Sequence, residues 1–358
     1  MFHPFTNPED YTTMTTTTFD RLGIWNWERP DINDEVRYAK YAEDAGFDSV
    51  WQGESRLVRD AMSVLGAYTQ VTDEVDLATG VTNCYTRNVA LMAQTFSTLD
   101  ELSGGRAKLG VGAWWDPLAS KVGIDREQPL RRMWEYCTVT RKLLDLENVT
   151  YEGQTLSVED IELDLVRSDA EARSVPILIG ATGLTMNEMS GELVGEGIVD
   201  GVMMNYLIPP EHNEKAMAKL EEGAERRGGS LDDIDRPQLI AVSMNEDADV
   251  AIDNARNLAT QYIGQQPHIR KACGIDEDLG EAVSERLGGW PADAEAIEEA
   301  SELVSDDVVT NIVAAGTPED CVERVGTYCE TGCTEPVLYS LDDNVEEVID
   351  VFAEYKAE

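Results

Sequence analysis

Strand-like and helix-like stretches alternate eight times along this chain, starting at about residue 19, and that order constrains its fold more than any other feature. Residues 21–27 read as a first strand. A helix over 34–45 follows, with Tyr38, Tyr41, Ala42 and Ala45 at i, i+3, i+4 and i+7, and Gly46 stops it. The same pairing recurs at 49–53 and 60–72, 75–81 and 89–102, 107–113 and 129–146, 176–182 and 186–195, 201–205 and 211–226, and 238–244 and 249–262. Strand 336–340 and a helix carrying Val345, Val348, Ile349 and Phe352 on one face close the series. Repeated right-handed β-α-β crossovers close into a (β/α)₈ TIM barrel. Two excursions interrupt it: a hairpin over 149–165, turning near Gly153 before strand five, and an acidic helical insertion over about 264–311 before the last strand. Helix 318–330 then has Thr317 as N-cap and Pro318 at its first position, and Gly332 ends it. An open doubly wound sheet is the competing fold. It would want G-x-G-x-x-G after strand one, where this chain has Gly23-Ile24-Trp25-Asn26-Trp27.

Length fits the same answer. A chain of 358 residues suggests two or three domains, or one barrel with insertions. Residues 1–18, rich in threonine, read as a disordered extension, or as upstream sequence with Met14 as the start. Residues 19–358 read as a single barrel domain.

Charge removes whole classes of function. Seventy acidic residues against 28 basic give −42, which opposes nucleic acid and anionic membrane surfaces as partners. Twenty arginines against eight lysines, with a pI near 4.2, point to a salt-rich cytoplasm. At about 1 M salt the Debye length is roughly 3 Å, so such self-repulsion is screened. His3, His212 and His268 are the only histidines, too few for a Ser-His-Asp triad or a two-His metal site without using nearly all of them, and no metal is expected. Six cysteines without a C-x-x-C pair read as reduced thiols in a cytosol. No signal peptide is visible, and the sequence holds no run of about 18 apolar residues.

In such a barrel the chemistry sits at the C-terminal strand ends. Five of the seven tryptophans fall there, on three strands: Trp25 and Trp27, Trp51, and Trp114 and Trp115. Flat, rigid apolar area suits a planar cofactor or substrate ring. Trp51, among apolar neighbours, reads as core; Trp114 and Trp115, in a loop before Asp116-Pro117, read as substrate-facing. Glu54 is a candidate general acid, since a carboxyl held among aromatics has its pKa raised; an ion pair with Arg56 or Arg59 is the other reading. Those arginines suit a phosphate or carboxylate tail, or an acidic rim. Gly180-Ala181-Thr182-Gly183 opens a helix whose free N–H groups suit a phosphate, although glycine in a β-α turn is commonly only geometry.

At these residues the sequence resembles the bacterial-luciferase-like flavin and deazaflavin oxidoreductases. The resemblance rests on Ala42-Glu43-Asp44-Ala45-Gly46-Phe47-Asp48-Ser49-Val50-Trp51, on Thr79-Gly80-Val81-Thr82-Asn83-Cys84-Tyr85-Thr86-Arg87-Asn88, and most specifically on the segment from Leu99 through Gly104-Gly105-Arg106 to Gly112. The strand-three loop and the Gly180 motif look most like the methylenetetrahydromethanopterin reductases, which use coenzyme F-420. The resemblance implies a cis Gly80-Val81 bond backing the deazaflavin ring, and a phosphate-bearing tail near Gly180 to Gly183. The candidate cofactor residues are therefore Trp25, Gly80, Val81, Thr82, Asn83, Gly180, Ala181, Thr182, Gly183 and Asn205. Glu54 and Asp116 are the candidate proton carriers, and Arg56, Arg59, Trp114 and Trp115 the candidate substrate contacts. The reductases carry a glutamate on strand one, Gly-Asp in the strand-four loop and Asp-His after strand two. This chain has Trp25, Trp114-Trp115 before Asp116, and Glu54-Ser55. The resemblance thus implies a kept cofactor scaffold with a rebuilt substrate end.

Three functions follow in order: hydride transfer between F-420 and a C1-carrying reduced pterin or folate; an FMN-dependent monooxygenase; and a cofactor-binding protein with little catalysis. The resemblance also implies a homodimer.

Overall fold

The computed structural model describes residues 17–25, 31–54, 56–165, 171–232 and 234–357. The expected extension 1–18, apart from Thr17 and Thr18, lies outside them, as do Met14, Asn26, Trp27 and Ser55. Eight parallel strands form the barrel: β1 Gly23–Trp25, β2 Ser49–Gln52, β3 Asp76–Thr79, β4 Ala107–Gly112, β5 Ile177–Ala181, β6 Gly201–Met204, β7 Pro237–Met244 and β8 Glu335–Ser340. Each pairs with the next in chain order. The ring closes where β8 meets β1, through Gly23↔Val337 and Ile24↔Leu338.

The strands are covered on both faces, which is why they read as nearly continuous apolar runs. Side chains alternate between two cores. Val50, Leu77, Ile177, Ile179 and Val202 point outward and pack with helix residues such as Met92, Phe96, Met133 and Phe352. Trp51, Ala78, Leu178, Met203, Val337 and Tyr339 fill the barrel interior, and this cluster continues upward through Leu207 and Ile208 to Ile269, Val283 and Leu287 of the insertion. At the opposite end the Glu335 carboxylate accepts from Ser49 and Arg21, and Lys108 pairs with Asp76 and Asp235, so the floor is an ion-paired plug.

Helix Pro318–Glu330 starts at a capping box: the Thr317 hydroxyl accepts from the Asp320 amide while the Asp320 carboxylate accepts from the Thr317 amide. The hairpin pairs Val149–Glu152 with Ser157–Ile161. After helix Ala248–Gln265 come four short helices, Pro267–Ala272, Glu277–Leu287, Ala294–Ser301 and Asp306–Ile312. Asp276 and Asp293 cap the second and third by accepting from amides of their first turns, where negative charge suits the helix dipole.

Three differences from the sequence expectation matter. Strand 75–81 ends at Thr79, and Thr82–Asn83 resumes beside β4 after an intervening turn. Ala314–Gly316, too short to carry a period, pairs with β7. Helix 60–72 shrinks to Ala61–Tyr68, with Asp60 as its cap, because Thr69 and Thr72 turn their hydroxyls back onto carbonyls of the preceding turn.

Candidate active site

The turn after β3 lies at the centre of the mouth. The Gly80-Val81 bond is cis, and the Val81 side chain is housed by glycines on the two neighbouring strands. A methyl group at Gly112 would sit 2.8 Å from Val81 Cγ2, and one at Gly180 would sit 3.0 Å from Cγ1. At Gly110 it would lie 2.0 Å from the Thr79 carbonyl oxygen. Glycine inside a strand marks such close approach. Gly80 itself rests on Met203 and Trp51, and its carbonyl accepts from Trp25 Nε1 at 3.0 Å. Gly112→Ala is therefore expected to cost about 1–3 kcal/mol by overpacking, read as a lower urea midpoint. An unchanged midpoint would mean that Val81 moves aside freely.

Glu54, directly after β2, carries most of the charge in this part of the mouth. Its carboxylate accepts from the Thr82 hydroxyl at 2.7 Å and from Arg87 Nη1 at 2.7 Å, and Arg87 also reaches Asp60. The competing sequence reading made Arg56 or Arg59 its ion-pair partner; the structure supplies Arg87 from the strand-three loop. Arg59 is corrected as a substrate contact: it is committed to the fully buried Glu35, which also accepts from the Tyr68 hydroxyl. Asn83 is buried and spends its side-chain oxygen on the amides of Tyr85 and Thr86, so it shapes the loop.

Opposite stands an aromatic wall that sequence reasoning saw only in part. The rings of Trp25 and Tyr339 meet edge-on at 5.0 Å, Tyr339 lies 6.3 Å from Tyr206, and Tyr206 packs on Tyr262 at 5.0 Å. The two hydroxyls of Tyr206 and Tyr262 are hydrogen-bonded. Arg56 closes the row: its guanidinium lies 5.4 Å over the Tyr262 ring and donates to Gln261 Oε1 at 3.1 Å. Trp51 is core, as expected, fully buried with its indole N–H on Ser49.

At the end of β5, Ala181 is buried and Thr182 is held from two sides. Asn205 Nδ2 donates to the Thr182 hydroxyl at 2.5 Å, and the Nε2 of His212, 2.8 Å from the Thr182 carbonyl, donates to it. Gly183 is the N-cap of helix Leu184–Gly195 and gives its first-turn amides no side-chain cap, and nothing lies within 4 Å of where a Cβ at Gly183 would be.

The strand-four loop gives the other correction. Asp116 is exposed; it accepts from Ser120 Oγ at 2.6 Å and from Arg126 at 3.0 Å. The Ser120 hydrogen bond, joined by that cation, holds its carboxyl below the usual range, which removes Asp116 as a proton donor near neutrality. Trp114 and Trp115 are half-buried. Trp115 meets Trp290 of the insertion edge-on at 5.1 Å, and Lys121 donates to the Trp290 carbonyl at 3.0 Å, so the acidic insertion reaches this loop. Among the described residues, no group of three or more His, Cys, Asp or Glu side chains is gathered as metal ligands would be, and no helix is long and apolar enough to cross a membrane.

Sequence reasoning placed Arg87 at the end of strand three without its partner, and left Tyr339, Tyr262 and the glycines Gly110 and Gly112 without a role. A Gly-Val-Gly run inside a predicted strand was the available signal for the last two.

Comparison with known proteins agrees with this geometry. The profile of the luciferase-like monooxygenase family matches residues 1–335. The chain is 32% identical to 5,10-methylenetetrahydromethanopterin reductase of Archaeoglobus fulgidus, over 85% of this chain and 88% of that one. It is 26% identical to an F-420-dependent glucose-6-phosphate dehydrogenase of Microbacterium testaceum, over 90% and 91%. The solved F-420-dependent tetrahydromethanopterin reductase of Methanopyrus kandleri is similar with a TM-score of 0.79 at 26% identity, covering 94% of this chain and 98% of that one.

Proposed function

We propose a function from one premise: the chain belongs to the luciferase-like monooxygenase family. Within it, we read this protein as an oxidoreductase that moves a hydride between coenzyme F-420 and a C1-carrying reduced pterin or folate. The observation that carries the reading is the 32% identity, over 85% of the chain, to a methylenetetrahydromethanopterin reductase.

The mouth fits the cofactor. Val81, in its glycine cradle, and Trp25 offer an apolar backing for a planar ring, with Gly80, Thr82 and Asn83 around it. The uncapped amides after Gly183, with Gly180, Ala181, Thr182 and Asn205, suit a phosphate-bearing tail. Bound there, F-420 would supply the hydride, since carbon at position five of a deazaflavin favours hydride transfer over oxygen chemistry. The chain's own part is to stack, orient and exclude water. Trp114, Trp115 and Arg56 are then the substrate-side contacts, and Glu54, tied to Arg87 and Thr82, fixes the turn that supports the ring. We also place the enzyme in the cytosol, where its six free thiols would stay reduced, and expect a homodimer built from one barrel domain over 19–358.

The family's own description as monooxygenases keeps an FMN-dependent reaction as the competing reading. Titration in multimolar salt, followed by absorbance and fluorescence, separates the two. Tight binding of F-420 and not FMN is expected, followed by oxidation of reduced F-420 when methylenetetrahydromethanopterin is added. Preference for FMN with substrate-dependent oxygen uptake would overturn the proposal.

A further inference from the structure

Hydride delivery to a methylene carbon that bridges two nitrogens leaves one nitrogen needing a proton, and the two candidate carboxylates among the described residues are poorly placed to give it. Glu54 is tied to Arg87 and to the Thr82 hydroxyl, and Asp116 is held by Ser120 and Arg126 with its carboxyl lowered. His212 spends its Nε2 on the Thr182 carbonyl. The hydrogen-bonded hydroxyls of Tyr206 and Tyr262 stand in the same mouth. Tyr206 follows directly on Asn205 at the end of β6, and both rings are half-buried. The row Trp25, Tyr339, Tyr206, Tyr262 runs without a gap from the end of β1 to helix Ala248–Gln265.

We propose that Tyr206, backed by Tyr262, is the proton donor of the reaction. The inference rests on the hydride-transfer reading above. In the step, a C–H bond forms at the methylene carbon with the electron pair of the hydride, and the bond from that carbon to one nitrogen breaks. The Tyr206 O–H bond breaks and an N–H bond forms. Tyr262 then returns a proton to the Tyr206 phenolate and is itself reprotonated from solvent, which receives the proton that the oxidised cofactor gives up. Among the described residues, the groups that face the pair are Arg56 from the loop after β2, Tyr339 from β8, Gln261 beside Tyr262, and the Cys273 thiol, which donates to the Leu207 carbonyl and which burial pushes up to about 12. Arg56 is the one cation among these described groups; it lies over the Tyr262 ring, whose hydroxyl is bonded to that of Tyr206, and positive charge there favours a transient phenolate on the pair.

Tyr206→Phe and Tyr262→Phe test the assignment by three readouts. The first is the affinity for F-420 without a substrate, expected to stay within about threefold of wild type in both variants, because a phenyl ring keeps the wall. The second is turnover against pH with reduced F-420 and methylenetetrahydromethanopterin. A required phenol makes the wild-type rate fall as pH rises, so Tyr206→Phe should lose about 10²–10³-fold in kcat, in the range of acid catalysis, and lose that alkaline limb. Tyr262→Phe should lose about tenfold and keep the limb at a shifted position. The third is the tyrosinate absorbance titration of the protein alone, in which the coupled step of the hydrogen-bonded pair should disappear in both variants. Tyr206→Phe with at least half the wild-type kcat and an unchanged alkaline limb would overturn the proposal, as would an unchanged tyrosinate titration in both variants. Wild type that fails to bind F-420 is a different outcome: it removes the hydride-transfer reading itself, and the proton donor with it.

Discussion

Moved from multimolar potassium chloride into dilute buffer, the protein is expected to lose its folded circular dichroism at room temperature, or at least to melt on the order of 10 °C lower. The cause is the excess of 42 negative charges. In about 0.01 M salt the Debye length is roughly 30 Å, comparable to a barrel of this size, so most of the carboxylates repel one another; in about 1 M salt it is roughly 3 Å and only neighbours do. The 28 basic residues cannot offset 70 acidic ones, and many of them already hold more than one carboxylate. Arg226 and Arg227 sit among Glu188, Glu192, Glu196 and Glu222; Arg256 holds Asp253 and Asp306; Lys40 holds Glu43 and Asp44. The insertion adds twelve acidic residues against three basic over 264–311. Salt weakens the exposed pairs as well, but each is worth at most about 1 kcal/mol, so with this imbalance the relief of repulsion wins. For domains of about 150–250 residues each kcal/mol is worth about 2–4 °C, and less for a longer chain, so a shift of that order takes several kcal/mol. Retained circular dichroism and an unshifted melting point in dilute buffer would reject the halophilic reading. A sucrose control separates screening from the general strengthening of apolar burial by excluded solutes.

What the sequence made legible was local. The stripe Val345, Val348, Ile349 and Phe352 is buried in the last helix, Thr317 and Pro318 start their helix at the expected residues, and the strand ends that gather at the mouth could be named because the strand period and the right-handed crossover fix them. The cis Gly80-Val81 bond was legible only through resemblance, since nothing in the local pattern of Thr79 to Asn83 requires it. Pairings across the mouth were not legible. Arg87 meets Glu54 across 33 positions, Arg56 meets Gln261 across 205, and Trp115 meets Trp290 through a loop of the insertion. An arginine near a glutamate in sequence looks like a partner, yet Arg56 and Arg59, two and five residues from Glu54, turn to other elements. The loop after β2 reverses them: Arg56 and Leu57 both adopt left-handed backbone, with φ of 47° and 61°. Chemistry by residue type was therefore readable, while the partner of each charged group was set by closure of the barrel.

That closure gives the Glu54–Arg87 pair its expected weight. Arg87→Gln should weaken F-420 binding by about 10- to 100-fold, equivalent to roughly 1.4–2.7 kcal/mol. The Glu54 and Arg87 side chains are only 14% and 16% exposed, so removing the cation strands a carboxylate with little water to replace it. A fully buried pair broken this way costs about 3–5 kcal/mol, and the residual exposure here discounts that to about 2. The stranded charge must then turn outward, which releases the Thr82 hydroxyl and loosens the turn that holds Val81 against Gly112 and Gly180. Glu54→Gln should be milder. The amide oxygen still accepts from Thr82, and Arg87 keeps Asp60. Combining the two substitutions removes the stranded charge, so the double variant should bind more tightly than Arg87→Gln alone, with a coupling of about 1–2 kcal/mol. Melting temperature and the F-420 dissociation constant should report the same ordering. Additive losses would show that the two side chains act independently, and unchanged F-420 binding in Arg87→Gln would place the pair outside the cofactor site. Turnover adds a separate decision. If Tyr206 gives the proton, Glu54→Gln keeps the alkaline limb and most of kcat once F-420 is saturating; a loss of that limb in Glu54→Gln would return the acid role to the carboxylate.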